Sequence, residues 1–184
     1  MLRVISGTLR GRALLVAKGA ATRPTSGRVR EALFDALSVR MGLAGCVVLD
    51  LYAGTGALGI EALSRGAAKA VFVDRDVRIL VTNLRGLGLV AQGEAIQMTV
   101  EDFLQHKRQA FDLVLADPPY GCDAVTLLER LGGMSDLLEN DGILVLEHAQ
   151  EQELPLHSGN LHSVWERRYG ATVVSMFGVV SNAP

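Results

Sequence analysis

The sequence predicts an α/β fold in which a mostly parallel sheet is covered by helices on both faces and ends in an antiparallel hairpin. Three observations lead to this prediction. Short apolar segments alternate with helical patterns from residue 46 to about residue 146, and such alternation is typical of parallel sheets. A glycine-rich turn follows the first apolar segment. Two strand-like segments near the C-terminus flank Tyr169-Gly170, which indicates a hairpin.

The composition is that of an ordinary globular protein. The chain has 184 residues, of which 49% are hydrophobic and 21% charged, enough to build one domain with its own core. Cys46 and Cys122 are the only cysteines, and their spacing to the four histidines predicts neither a zinc site nor a disulfide framework. We find no apolar run of the roughly 18 residues that span a bilayer and no signal-peptide core, so we expect a cytoplasmic protein without a membrane partner.

Charge is distributed unevenly along the chain. The net charge is −2, from 18 Lys and Arg against 20 Asp and Glu. Residues 1–40 hold eight basic and two acidic groups, which is +6, and residues 41–184 therefore carry −8. The near-neutral total thus hides a basic N-terminal extension, 1–40, next to an acidic domain, 41–184. A basic extension favours a partner that carries phosphate.

The extension is predicted to contain a hairpin, a loop and a helix. Residues 3–5 and 12–16 read as short strands joined by a turn over 7–11. Residues 22–26 form a proline-containing loop. Apolar residues then recur with helical spacing over 29–37.

The acidic domain is predicted to supply all seven strands of the main sheet. Helices are expected at 57–65, at a segment ending near residue 85, and at 127–138. The strands are expected at 46–51, 70–73, 95–98, 113–116, 143–146, 164–168 and 172–177.

The turn after the first strand has the pattern of a nucleotide-binding loop. It reads Gly54-Thr55-Gly56-Ala57-Leu58-Gly59 and leads into a helix, and Asp74 follows Gly54 by twenty residues at the end of the next strand. Glycines allow a tight turn and a close approach to a ligand, the helix N-terminus offers N–H groups, and the acid can accept hydrogen bonds from ribose hydroxyls. We prefer this interpretation to a plain glycine-rich connection with a solvated Asp74.

Two further acids favour S-adenosylmethionine over NAD. Asp50 lies just before the glycines, where a carboxylate would repel a pyrophosphate but suit an ammonium group. Asp102 follows a third strand, where it can accept a hydrogen bond from an adenine amine or, equally well, serve as an acid in the first turn of a helix. S-adenosylmethionine carries an ammonium and an adenine and has no phosphate. We also find no set of residues suited to hydride chemistry.

The fourth strand runs into Asp117-Pro118-Pro119-Tyr120. The two prolines stiffen the backbone and leave carbonyls without intrachain N–H partners, so the Asp117 carboxylate and a nearby carbonyl can both accept from one amine. Tyr120 offers a flat face on which a base can stack. This arrangement predicts methyl transfer to an exocyclic amine without a strong general base, driven by in-line positioning and electrostatics. The alternative is a strand-ending turn with Tyr120 packed beneath it.

Together these residues resemble the RsmD family of bacterial small-subunit ribosomal RNA guanine-N2 methyltransferases, over nearly the whole chain. The N-terminal block is the more specific part, because many amino-methyltransferases share the Asp-Pro-Pro-Tyr signature. The matching segments are Arg3-Val4-Ile5-Ser6-Gly7 with Gly11-Arg12, the block from Thr22 to Phe34, Leu49 to Gly59, Glu61 to Ala67, and Asp117 to Tyr120.

The resemblance implies a Rossmann-like class I methyltransferase fold with seven strands, and S-adenosylmethionine as the methyl donor. The acceptor it implies is a guanine N2 amine of 16S ribosomal RNA, in the small subunit or an assembly intermediate. Carried over by motif, Asp74 holds the ribose and Asp102 the adenine, although Asp74 stands where the family more often has Glu. Asp117, Pro118, Pro119 and Tyr120 position the target. The methionine part is held by Asp50, Tyr52, Ala53, Gly54, Thr55, Gly56 and Gly59.

The arginines of the extension are the expected RNA contacts. We expect Arg23, Arg28 and Arg30 to bind RNA phosphates near the cofactor, against the alternative of a solvated helix face. The alternative functions are an N6-adenine DNA methyltransferase, an NAD-dependent oxidoreductase and a non-catalytic RNA-binding protein. The first is disfavoured because 184 residues show no separate target-recognition domain. We expect a monomer and no metal.

Overall fold

The computed structural model describes residues 1–16, 27–107 and 109–179. The chain divides into two compact units, Met1–Lys107 and Arg108–Pro184. The elements of the first unit are helices α1 (Gly27–Arg40), α2 (Ala57–Ser64), α3 (Arg78–Leu87) and α4 (Val100–His106), and strands β1 (Val47–Leu51), β2 (Lys69–Asp74) and β3 (Gly93–Gln97).

The second unit contains one helix and five strands in its described part. They are β4 (Phe111–Ala116), α5 (Ala124–Gly132), β5 (Leu138–Ala149), β6 (His157–Ser158), β7 (Leu161–Tyr169) and β8 (Thr172–Val179).

The strands are ordered β3-β2-β1-β4-β5-β8-β7-β6 in one sheet. The β1–β2, β2–β3 and β4–β5 pairs are parallel, and β8 pairs antiparallel with both β5 and β7. This confirms the predicted α/β fold with a terminal antiparallel hairpin. The described sheet has eight strands where the sequence predicts seven, because the edge strand β6 is only two residues long and too short to show an alternating pattern.

Two predicted elements end differently in the structure. Helix α5 stops at Gly132, not at residue 138, because Gly132 and Gly133 interrupt the helical pattern and Leu138 already begins β5 opposite Phe111. The N-terminal hairpin is held by one antiparallel bridge, between Arg3 and Ala13, so its two predicted strands are shorter than expected.

The N-terminal residues pack against α2 inside the first unit. The Glu61 carboxylate accepts hydrogen bonds from the N–H groups of Ile5 and Ser6, at 2.8 and 3.0 Å. Gly7, with φ of +79°, lies so close to α2 that a Cβ atom there would be 1.8 Å from the Ser64 carbonyl oxygen. The first compact unit continues to Lys107, and the division of the chain at residue 40, which rests on charge, stays a prediction.

Candidate active site

Strand β1 enters the glycine loop through a constrained backbone. Tyr52 has a φ of 59°, a left-handed conformation that is unfavourable for a residue with a Cβ and tends to occur at functional sites. The next residue, Ala53, donates its N–H to the Val73 carbonyl of β2 at 3.1 Å. The surrounding structure thus fixes the point at which the chain leaves the sheet.

The three glycines of the loop serve two different purposes. Gly54 is exposed, and a Cβ there would meet only the Tyr52 carbonyl oxygen, at 3.9 Å. A Cβ on Gly56 would lie 2.5 Å from the Leu80 side chain, and one on Gly59 would lie 2.3 Å from the Phe72 ring. Gly56 and Gly59 therefore allow close packing inside the protein, while Gly54 leaves backbone accessible to a ligand.

Asp50 is 1% exposed and accepts a hydrogen bond from the Gly59 N–H at 2.8 Å. The bond connects the end of β1 with the first turn of α2, where an N–H has no partner within the helix. A buried carboxylate needs such partners. The structure thus gives Asp50 a definite part in holding the loop, and its contact with a methionine ammonium stays a prediction.

Asp74, at the end of β2, is bonded directly to the glycine loop. Its Oδ2 accepts from the Gly54 N–H at 2.8 Å, and its Oδ1 accepts from the Asp76 N–H at 3.0 Å. Each carboxylate oxygen has a second lone pair, so two ribose hydroxyls can still donate to it. The spacing of twenty residues between Gly54 and Asp74 corresponds to a real contact.

Asp102 lies in the first turn of α4. This is the position of a helix-terminal acid, one of the two roles that the sequence allows for it. Thr99 caps this helix: its hydroxyl accepts from the Asp102 N–H at 3.1 Å and lies 2.7 Å from the Asp102 carboxylate. The Asp102 side chain is exposed. Its contact with an adenine amine remains a prediction that is compatible with the cap.

These residues fit an adenosine-bearing cation. Asp50, Asp74 and Asp102 lie at or after the carboxyl ends of three strands that are parallel neighbours, in the order β1, β2 and β3. Parallel strands end at the same edge of a sheet, and ligands of open α/β folds bind there. Carboxylates suit ammonium and hydroxyl groups, whereas they repel phosphates.

The segment 117–120 follows β4 in the second unit. Tyr120 is 86% exposed, so it is not packed beneath the turn and its ring face is accessible. The Pro119 carbonyl accepts from the Cys122 N–H at 3.1 Å. The Pro119 carbonyl is therefore not one of the carbonyls that are expected to lack an intrachain N–H partner, because the chain turns back on itself immediately after the tyrosine.

Two side chains that are not predicted from the sequence fix the chain after this segment. Gln152 accepts from the Ala124 N–H at 2.8 Å and donates to the Cys122 carbonyl at 3.0 Å. Asp123 caps α5, and hydrogen bonds from the hydroxyl and N–H of Thr126 hold the pKa of this carboxyl below its usual range. An aspartate at position 123, just before the helix, is a sequence signal for an N-cap. No sequence pattern indicates the contacts of Gln152.

The arginines that are predicted to contact RNA differ in their exposure. Arg23 lies outside the described residues, and Arg28 is exposed on α1. Arg30 is 1% exposed, donates to the Arg3 carbonyl, and has its Nε 3.9 Å from a Glu61 oxygen. Burial lowers the pKa of Arg30, with Glu61 opposing the shift. The guanidinium of Arg30 thus lies buried between α1, the N-terminal residues and α2, a position that does not support the predicted RNA contact.

Over residues 1–16, 27–107 and 109–179, we find no group of three or more His, Cys, Asp or Glu side chains placed to hold a metal ion. Within the same residues, no helix is both long and apolar enough to cross a membrane.

Comparisons with known proteins show which proteins the chain is similar to. The family described as Conserved hypothetical protein 95 matches residues 2–178. The ribosomal RNA small subunit methyltransferase D of Haemophilus influenzae is 40% identical over 159 residues, 83% of this chain and 81% of the relative. The protein of the same name from Escherichia coli K12 is 34% identical over 165 residues, which cover 86% of this chain and 80% of the relative. The solved structure of a hypothetical protein from Thermus thermophilus has a TM-score of 0.82 at 34% identity, over 96% of this chain and 98% of that one.

Proposed function

Because this chain belongs to the RsmD family of small-subunit ribosomal RNA methyltransferases, we propose that it transfers a methyl group from S-adenosylmethionine to the N2 amine of a guanine in 16S ribosomal RNA. The observation that carries the proposal is the glycine loop bonded to Asp74, in a chain that also has Asp117-Pro118-Pro119-Tyr120 after β4. The first arrangement suits the cofactor and the second suits an amine.

The first unit supplies the cofactor-binding residues. S-adenosylmethionine, when bound, supplies an electrophilic methyl group on a sulfonium. The segment 52–56 and Gly59 form the loop around its methionine part, with Asp50 beneath them. Asp74 accepts from the ribose hydroxyls and Asp102 from the adenine amine. Negative side chains near a sulfonium and an ammonium stabilise the bound cation.

The segment 117–120 orients the acceptor. A guanine N2 amine has two N–H groups, which are matched by the Asp117 carboxylate and the carbonyl of Pro118, since that of Pro119 is engaged by Cys122. Holding both N–H groups turns the nitrogen toward the methyl carbon, which supplies much of the rate. As the nitrogen–carbon bond forms, the methyl–sulfur bond would break and leave S-adenosylhomocysteine. The nitrogen would gain positive charge that Asp117 stabilises, and its proton would then pass to water. Tyr120 stacks on the base.

The basic extension, 1–40, is the proposed RNA-contacting part, and 41–184 the methyltransferase part. Of its three predicted contacts, Arg23 and Arg28 remain, since Arg30 is buried. Small-subunit RNA as substrate implies action in the cytoplasm, on free RNA or an assembling subunit. A monomer suffices, because cofactor and acceptor residues are found in one chain.

Arg28 and Arg30 are expected to behave oppositely when each is replaced by alanine. Arg28→Ala should leave the melting temperature unchanged and lower the slope of log affinity for RNA against log salt by about 1, the loss of one phosphate contact. Arg30→Ala should lower the free energy of unfolding by about 1–3 kcal/mol, because it removes a buried side chain and leaves the Arg3 carbonyl without its donor. Filter binding over a salt series and thermal unfolding measure the two effects. An altered salt slope without destabilisation in Arg30→Ala would contradict the assignment.

The proposed function is tested by labelled methyl transfer to unmethylated 16S RNA, free and within subunits, followed by nucleoside mass spectrometry. We expect N2-methylguanosine. N6-methyladenine in a duplex DNA substrate would support the DNA methyltransferase alternative instead. A thermal-shift comparison tests the cofactor. S-adenosylhomocysteine should raise the melting temperature and NAD should not. The reverse result would contradict the methyltransferase assignment.

A further inference from the structure

Asn83 connects the N-terminal residues with the glycine loop. The side chain lies in α3 and is 3% exposed. Its Oδ1 accepts from the Leu15 N–H at 2.8 Å, and its Nδ2 donates to the Leu15 carbonyl at 3.2 Å and to the Thr55 carbonyl at 2.9 Å. One buried amide thus bonds two segments that are 40 residues apart in the sequence.

On the loop side, this amide restrains the peptide with the greatest conformational freedom. Thr55 lies between Gly54 and Gly56, which have φ of +54° and +79°. Glycine rotates more freely than any other residue, so the Thr55 carbonyl needs a restraint from outside the loop. The other bonds of the loop, from Gly54 to Asp74 and from Gly56 to the Ala53 carbonyl, involve the peptide N–H groups of the glycines. Asn83 holds the carbonyl between them.

On the N-terminal side, the amide fixes the end of the segment that runs along α3. The Arg12 guanidinium donates to the Gly86 carbonyl of α3 at 3.1 Å, and three residues later Leu15 meets Asn83 through both its N–H and its carbonyl. A side-chain amide bonded in this paired way reproduces the pattern of a neighbouring strand. Residues 12–15 are therefore docked by the same helix that supports the loop.

We propose that Asn83 is a positioning residue that couples the docking of the N-terminal segment to the shape of the cofactor loop. Cofactor binding favours one position of the Thr55 carbonyl, and this position is the one in which Asn83 also holds Leu15. By linkage, each event strengthens the other. The proposal deepens the proposed function and rests on it, since the ligand of the loop is taken to be S-adenosylmethionine. It makes residues 12–15 a support of the cofactor site in addition to their place in the basic extension.

Two replacements of Asn83 separate its contacts. Asn83→Ala removes all three hydrogen bonds, while Asn83→Asp keeps an oxygen for the Leu15 N–H and loses the donor to Thr55. We expect both to raise the dissociation constant of S-adenosylhomocysteine roughly tenfold, as when the binding-competent fraction falls to about one tenth. The KM for S-adenosylmethionine should rise likewise, with kcat at saturation within about threefold of the parent.

Ser64→Ala is the matched control. Ser64 is also buried in the first unit, at 1% exposure, and its hydroxyl accepts from the Leu9 N–H at 3.0 Å and donates to the Ser6 carbonyl. It therefore holds a neighbouring part of the N-terminal residues, 6–9, and has no hydrogen bond to the glycine loop. We expect Ser64→Ala to lower the melting temperature about as much as Asn83→Ala does, with cofactor affinity within about twofold of the parent.

Amide hydrogen exchange gives a readout that a merely structural role would not change. In the parent protein, S-adenosylhomocysteine should slow exchange of the Leu15 N–H, and in Asn83→Asp it should not, although the fold is retained. The proposal is overturned if the ligand leaves Leu15 exchange unchanged in the parent, or if Ser64→Ala weakens binding as much as the Asn83 variants do. If the parent itself binds no S-adenosylhomocysteine, the proposed function falls together with the coupling; parental binding with unaffected Asn83 variants overturns the coupling alone.

Discussion

Replacing Asp117 with alanine is expected to abolish methyl transfer while cofactor affinity stays within about twofold of the parent. Asp117 follows β4 in the second unit, whereas the glycine loop and the acids bonded to it belong to the first. In the proposed mechanism, loss of the Asp117 carboxylate removes both an acceptor for the amine and the charge that stabilises the developing cation. Removal of one such group commonly costs roughly 10³-fold in rate. Single-turnover methylation of 16S RNA and calorimetry with S-adenosylhomocysteine measure the two quantities separately.

Two further variants separate the effect of the Asp117 charge from that of its hydrogen bonds and provide a control. Asp117→Asn keeps an acceptor oxygen without the charge, so we expect a rate between those of the parent and of Asp117→Ala. Asp141→Ala removes an exposed carboxylate from the amino-terminal half of β5 and should methylate at the parental rate. Methylation by Asp117→Ala at the parental rate would show that the amine is oriented elsewhere, while a parallel loss of cofactor affinity would show that Asp117 supports the loop.

The sequence was sufficient for the sheet and for the cofactor loop because both depend on local patterns. Strands buried on both faces are continuous apolar runs, and β1 shows this so clearly that its one acid, Asp50, stands out. The glycines and Asp74 are separated by a spacing that the β1–α2–β2 unit itself imposes. The hydrogen bond from Gly54 to Asp74 is the structural counterpart of that spacing.

The long-range contacts of polar side chains could not be predicted in the same way. Arg30 lies in an amphipathic helix where an arginine normally faces solvent, and its burial depends on Glu61, 31 residues further along the chain. Asn83 and Gln152 bond mainly to backbone atoms of distant loops, and a backbone partner leaves no signature in the residue types. Residues of this kind can be identified only in the structure. Asn83 bonds to the glycine loop, and Gln152 bonds to the chain just after segment 117–120.

The buried pair of Arg30 and Glu61 changes how the uneven charge of the sequence is interpreted. The net charge of +6 for residues 1–40 includes the buried Arg30. Arg30 neutralises Glu61 inside the protein, and Arg65 adds a second ion pair to the same carboxylate, at 2.8 Å. The basic charge available to RNA is therefore smaller than the sequence total suggests, and it resides in the exposed arginines such as Arg28.

Gly59→Ala is expected to destabilise the protein and to abolish cofactor binding. The added Cβ would lie 2.3 and 2.8 Å from two ring carbons of Phe72 and 3.1 Å from the Asp50 carboxylate. Phe72 is fully buried in β2, so either the ring or helix α2 has to move. Overpacking of this kind costs about 1–3 kcal/mol, and loss of the hydrogen bond from Gly59 to Asp50 adds about 1 kcal/mol. Thermal unfolding should show the melting temperature falling by roughly 6–12 °C.

Gly86→Ala is the matched control for this loss. Gly86 is exposed within α3, and a Cβ there would have nothing within 4 Å, so the change should stabilise the helix by about 0.5–1 kcal/mol and leave cofactor affinity at the parental value. Parental stability and affinity in Gly59→Ala would mean that Phe72 yields to the methyl group. Parental stability with lost cofactor affinity would instead show that the glycine at position 59 serves the approach of the ligand and not the packing of α2 against β2.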